Sequence, residues 1–200
     1  MNHLADLEEL RKRYFAFRHG KSVANDLGII VSDPLAGLYS YGLTANGRKQ
    51  VSDSVHRARQ KGILDAETVI MSSDFSRARK TAEIAKNLLS AADIRLCSEL
   101  LERFFGSWER RSNTHYQDVW DLDAKDPGHT QNGVEAADAV LERTTRLIAD
   151  LEREFSCRKI LLVSHGDALQ ILQCGFRKIS ASLHRTLPHL DTAEIRELTL

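Results

Sequence analysis

Short apolar blocks that stop abruptly at polar residues mark this chain. Tyr14–Phe17 runs straight into Arg18, His19 and Gly20, while "ETVIMSS" (Glu67–Ser73) and "KILLVSHG" (Lys159–Gly166) end the same way. Continuous apolar runs of this length predict strands buried on both faces, as in a parallel sheet. "DIRLC" (Asp93–Cys97) is a weaker strand, and the C-terminal "AEIRELTL" alternates as an edge strand does. Helical periodicity fills the intervals. Thr44 is the N-cap of an amphipathic run that stops at Gly62. "SRARKTAEIAKNLLSA" sets Ala78, Ala82, Ala85 and Leu89 on one face, and Asn132–Phe155 carries Ala136, Val140, Thr144, Leu147, Leu151 and Phe155 at helical spacing. "DALQILQCGF" is an apolar helix packed directly behind its strand. Strands alternating with helices predict a three-layer α/β/α sandwich around a mostly parallel sheet. Leu27–Leu43 and Phe105–Thr130 are the least regular segments and are expected to stand over a site.

Composition narrows the function classes. A chain of 200 residues with 42% hydrophobic content suits one domain, residues 1–200. Lys+Arg and Asp+Glu both number 28, so no basic face is imposed and nucleic acid is not the expected partner. A local cationic pocket remains compatible with zero net charge. Cys97, Cys157 and Cys174 are sparse and unpaired in spacing, which fits reduced thiols and a cytoplasmic location. The N-terminal "MNHLADLEELRKRYF" has no apolar core of a secretory signal, and no run of ~18 apolar residues suggests a membrane span.

The chemistry lies where the apolar blocks end. In open parallel sheets, ligands bind outside the carboxyl ends of the strands. Arg18, His19, Arg77 and His165 all fall at such junctions and are expected to meet. Two guanidinium groups suit an oxyanion with several oxygens, since their forked N–H groups bind phosphate bidentately. A neutral imidazole nitrogen attacks phosphorus directly, so His19 is the candidate nucleophile, Gly20 leaves room for close approach, and His165 helps hold the phosphoryl charge. Two histidines also suit zinc. The other six show no H-x-x-x-H spacing, so neither a metal nor another cofactor is expected.

These residues bring a family into view. The chain resembles the histidine phosphatase superfamily, also called phosphoglycerate mutase-like, through "RHGKSVAN", "GLTANGRKQ", "SSDFSRARKTA", "LLERFFGSWE" and "VSHGDALQIL", from Tyr14 to the last strand. The resemblance implies a phosphohistidine on His19, a phosphoryl pocket of Arg18, Asn25, Arg77 and His165 with a backbone contact from Gly166, and Glu102 as general acid, then base. Three departures stand out: Lys21 where glutamate is usual, "NGVEAAD" retaining only Glu135 of a common motif, and Glu109 where glycine is frequent. Arg110 and Arg111 resemble the paired arginines that grip a carboxylate in mutases, but read better as a solvated pair. The expected activity is metal-independent hydrolysis of a small phosphorylated metabolite. A cofactor-dependent phosphoglycerate mutase and a non-catalytic phosphate-binding module are the alternatives. Edge strands leave a homodimer open.

Overall fold

A computed structural model describes residues 1–154 and 159–200. Phe155, expected near the end of the long helix, and Cys157 lie outside the described residues. The strands are β1 (Arg13–Arg18), β2 (Val69–Ser72), β3 (Ile94–Leu96), β4 (Lys159–Ser164) and β5 (Ile195–Leu198), in the order β3-β2-β4-β1-β5. β1, β4, β2 and β3 pair in parallel, and β5 closes the far edge antiparallel to β1. The helices are α1 (Val23–Leu27), α2 (Pro34–Tyr39), α3 (Ala45–Gln60), α4 (Ser76–Leu89), α5 (Tyr116–Asp123), α6 (Ala137–Glu154) and α7 (Gly166–Arg177).

The pleat explains why β1 and β4 are apolar at every position. Successive side chains point to opposite faces. Tyr14, Ala16, Ile160 and Leu162 therefore pack under α6 and α7 with Leu147, Leu151, Leu172 and Phe176. Phe15, Phe17, Leu161 and Val163 pack under α3 and α4 with Val51, Val55, Ala82 and Leu89. Both sheet faces are covered, and three layers result. Among the described residues, no helix is long and apolar enough to cross a membrane.

Local signals set most boundaries. Thr44 caps α3, its hydroxyl accepting from the Gly47 N–H at 2.9 Å. The long helix starts at Ala137 rather than Asn132, because Asn132 is left-handed (φ 59°) and Val134 forms a β-bridge to Phe105. Two of the segments read as irregular hold short helices instead: α2 has Pro34 in its first turn behind an Asp33 cap, and α5 begins at Tyr116.

Register places the site. Arg18 lies beside Ser164, and Ser72 beside Val163, so the carboxyl ends of β1, β4 and β2 are level. The ladder runs one step further: His19 N–H donates to Ser164 O (3.0 Å) and Ser73 N–H to Val163 O (2.9 Å). The residues following three adjacent strands are thus held side by side.

Candidate active site

His19 is buried, and its ring is fixed from both nitrogens. Nδ1 lies 2.8 Å from Gly20 O, a group that only accepts, so Nδ1 carries the proton. Nε2 then bears the lone pair, and it accepts from the Arg77 Nε–H at 3.0 Å. Gly20 permits this geometry because the first turn of α3 presses on it. A Cβ at residue 20 would sit 2.4 Å from Gly47 O, and one at residue 47 would sit 2.0 Å from Lys21 O. The Gly47 of "GLTANGRKQ" is therefore part of the site's backbone.

His165 caps the amino end of α7, and its ring packs edge-on to that of His19 with centroids 5.1 Å apart. Its Nε2 is 2.8 Å from the Ser73 hydroxyl, and its Nδ1 has no partner. Arg77 donates through Nη2 to Val31 O (2.9 Å) and lies over the Phe75 ring, leaving Nη1 unpartnered. Arg18 donates through Nη1 to Leu190 O (2.8 Å) and His189 Nε2 (2.7 Å), leaving Nε unpartnered. Three nitrogens of these side chains are thus buried without a hydrogen bond, a state that costs about 1–3 kcal/mol per group. Burial, then the nearby Arg77 charge, holds both imidazoles well below their ordinary range, so both rings are neutral. Burial also lowers Arg77, to about 10, and Arg18. Both guanidinium groups remain charged at neutral pH.

Glu102 faces this cationic group. Its Oε1 accepts from Arg103 N–H (3.0 Å) and from Ala168 N–H (3.1 Å) in the first turn of α7. Burial, followed by the charge of Asp167, pushes its carboxyl above the usual range despite the opposing pull of Arg77. Glu102, Arg18, Asn25 and Gly166 line one cavity of about 220 Å³, together with Ile29, Asn113, Tyr116, Trp120, Asp167 and His189. Asn25 uses its Oδ1 to close a capping box with Ser22, the start of α1. Gly166 lets Arg18 lie flat on α7, since a Cβ there would sit 3.2 Å from the guanidinium carbon.

Below the cavity floor lies a closed ionic cluster. Arg103, fully buried, grips Asp123 with two bonds of 2.6 and 2.7 Å and reaches Asp167 at 3.3 Å. His129 Nε2 lies 2.9 Å from Asp123. Asp167 also accepts from Trp120 Nε1–H at 2.9 Å.

His19 is in direct contact with both Arg77 and His165, and Arg18, Asn25, Glu102 and Gly166 line one cavity. The departures prove peripheral or structural. Lys21 pairs with Asp26 at the surface. Glu109 accepts from Ser32 N–H, Ser32 Oγ–H and Asp33 N–H, pinning the segment that carries Val31. Glu135 holds Arg143 and the Phe104 N–H. Arg110 and Arg111 are exposed and do not line the cavity. Sequence reasoning missed Ser73, Tyr116, Trp120, Asp167 and His189. Asp167 directly follows the "SHG" motif and was within reach; His189 sits in an irregular stretch with no signal.

The arrangement of sheet and helices is shared with solved structures, among them a mycobacterial hydrolase that superposes with a TM-score of 0.77 at 20% identity. The chain belongs to the histidine phosphatase superfamily (branch 1), whose sequence pattern matches residues 14–200. It is 30% identical over 174 residues to the adenosylcobalamin/alpha-ribazole phosphatase of Salmonella typhimurium, covering 80% of this chain and 77% of that one. A probable phosphoglycerate mutase of Escherichia coli is 32% identical over 182 residues, covering 86% and 78%. Among solved structures, a putative alpha-ribazole-5'-P phosphatase from Escherichia coli superposes with a TM-score of 0.70 at 26% identity, covering 93% and 89%. A mycobacterial glucosyl-3-phosphoglycerate phosphatase bound to VO3 shares the fold, with a TM-score of 0.77 at 20% identity, covering 94% and 92%. Family and phosphatase-named relatives are consistent with a phosphoric monoester hydrolase.

Proposed function

We propose that the protein hydrolyses a small phosphomonoester through a phosphohistidine on His19. The observation that carries this reading is the set of three unpartnered buried nitrogens, Arg18 Nε, Arg77 Nη1 and His165 Nδ1, beside the lone pair of His19 Nε2. Ser73 Oγ accepts from the Phe75 N–H and so can give its own proton to His165 Nε2, which puts the His165 proton on Nδ1; a phosphoryl group brings the acceptor oxygens that these three donors need. In the first step, Arg77 turns its Nε–H from His19 Nε2 to a phosphoryl oxygen, the freed Nε2 lone pair forms a bond to phosphorus as the P–O ester bond breaks, and the leaving oxygen takes the Glu102 proton. In the second, water gives a proton to Glu102 and attacks phosphorus, the P–N bond breaks, and phosphate leaves. The Nδ1–H stays on Gly20 O throughout, which keeps the lone pair on the reacting nitrogen. The raised carboxyl of Glu102 suits a group that must hold a proton at neutral pH.

Release of phosphate from an aryl phosphate, measured with and without chelator, tests the reading. Turnover that survives chelation, with acid-labile phosphate trapped on the protein and absent from His19→Ala, is the expected result. Loss of turnover on chelation would overturn it. Glu102→Gln should slow hydrolysis by about 10²–10⁴-fold, most for poor leaving groups. An equal loss for good and poor leaving groups would remove Glu102 from the acid role.

A further inference from the structure

The phosphatase reading accounts for one end of the cavity and leaves the other, where the alcohol of the ester must sit. Ile29, Asn113, Tyr116, Trp120, Asp167 and His189, which that reading does not use, also line the cavity. Among the described residues lining the cavity, Arg18 is the one guanidinium and no lysine is present, and Arg18 commits its Nη1 to His189 Nε2 and Leu190 O. The charge beyond it is negative. Asp167 is 5% exposed and lies in the first turn of α7.

The carboxylate of Asp167 is weakly compensated. Arg103 gives its two short bonds to Asp123 and reaches Asp167 only at 3.3 Å. The nearer partner is the neutral Trp120 N–H, at 2.9 Å. His184 Nε2 is 3.8 Å from Asp167 and equally far from Asp123. Arg185 lies flat over the Trp120 ring (3.6 Å), donates to Gln170 and does not line the cavity. A carboxylate offers about four lone-pair positions. Two are occupied here, and the others are available to a donor entering the cavity.

We infer that Asp167 determines specificity. It favours phosphomonoesters whose alcohol carries a hydroxyl or ammonium donor near the ester oxygen, and it rejects those carrying a carboxylate there. A donor gains a charge-assisted hydrogen bond in a partly dehydrated cleft. A second carboxylate meets like charge, and beyond Arg18, already committed to His189 and Leu190 O, the lining holds no cation to answer it. The Arg110 and Arg111 side chains, which would have supplied that cation, stand outside the cavity. This inference rests on the phosphatase reading and narrows its substrate class.

The test is kcat/KM on a matched set: glycerol 1-phosphate, phosphoethanolamine and 3-phosphoglycerate, each referred to p-nitrophenyl phosphate, whose alcohol part carries no net charge. The wild-type protein is expected to prefer the first two over 3-phosphoglycerate by about tenfold or more, mainly through KM. Asp167→Asn keeps the volume and the acceptor for Trp120 while removing the charge, and it should shrink that ratio to within about threefold. Equal use of the three esters by the wild-type protein, or an unchanged ratio in the variant, would overturn the inference. If Asp167→Asn does not fold, the wild-type preference decides alone. Absence of any p-nitrophenyl phosphate turnover would strike the phosphatase reading instead.

Discussion

Two charged clusters lie close together under one cavity and are built on opposite plans. The group around His19 is cationic and open: Arg18, Arg77 and His165 each keep one buried nitrogen without a partner. The cluster around Arg103 is closed on its Asp123 side: the guanidinium gives its two short bonds to Asp123 and another to Glu135 O, His129 completes Asp123, and Asp167, reached at 3.3 Å, is the member that also lines the cavity. Unsatisfied buried donors destabilise the protein alone and reward a ligand that satisfies them. Satisfied buried ions hold shape and offer little to a ligand. Glu102 belongs to both, since it faces Arg77 while its backbone neighbour is Arg103. The comparison shows how one loop, Glu102-Arg103, joins a reactive group to a structural one.

Single substitutions should separate the two clusters. The largest effect is expected from His19→Ala, which should cut turnover by about 10⁴-fold or more, as loss of a covalent nucleophile does. Its unfolding midpoint should move less than that of any substitution in the closed cluster. Arg103→Met comes next. It strands Asp123 and Asp167 and should cost about 3–5 kcal/mol, or roughly 6–20 °C in midpoint for a chain of this size. A calorimetric scan checks it, and a midpoint close to that of the unaltered protein would mean the cluster is not closed.

The smallest effect is on pH. A lowered imidazole range keeps His19 Nε2 unprotonated as pH falls, so the acid limb of kcat/KM should lie below the ordinary histidine value of about 6.5. A raised carboxyl range keeps Glu102 protonated as pH rises, so the alkaline limb should lie above the usual glutamate range. A pH–rate profile, corrected for the substrate's own titration, measures both. Limbs at the ordinary values would show that burial is not felt at the site.

The open cluster was legible in the amino-acid sequence and the closed one was not. Arg18, His19, Arg77 and His165 stand at apolar-to-polar junctions, and parallel register brings such junctions together whatever lies between them. The same logic yielded the three layers and the mostly parallel character of the sheet. Arg103, Asp123 and His129 sit on loops and the short helix α5, where no period sets direction. Their partners depend on how Phe104–Thr130 folds over α7, which propensity does not encode. The start of α6 was missed for a related reason: Asn132 fits helical spacing but takes a left-handed turn. Asp167 was passed over because a charged residue in a first helical turn is ordinary.

The level ends of β1 and β4 have a consequence for how the protein matures. His19 is made long before the strand that aims His165 beside it. Domains fold as units during synthesis, and pairings distant in sequence form late. A nascent chain that stops within α6 lacks β4 and cannot hold the two imidazoles together. Phosphate release from ribosome-bound chains of increasing length would therefore read out completion of the central sheet.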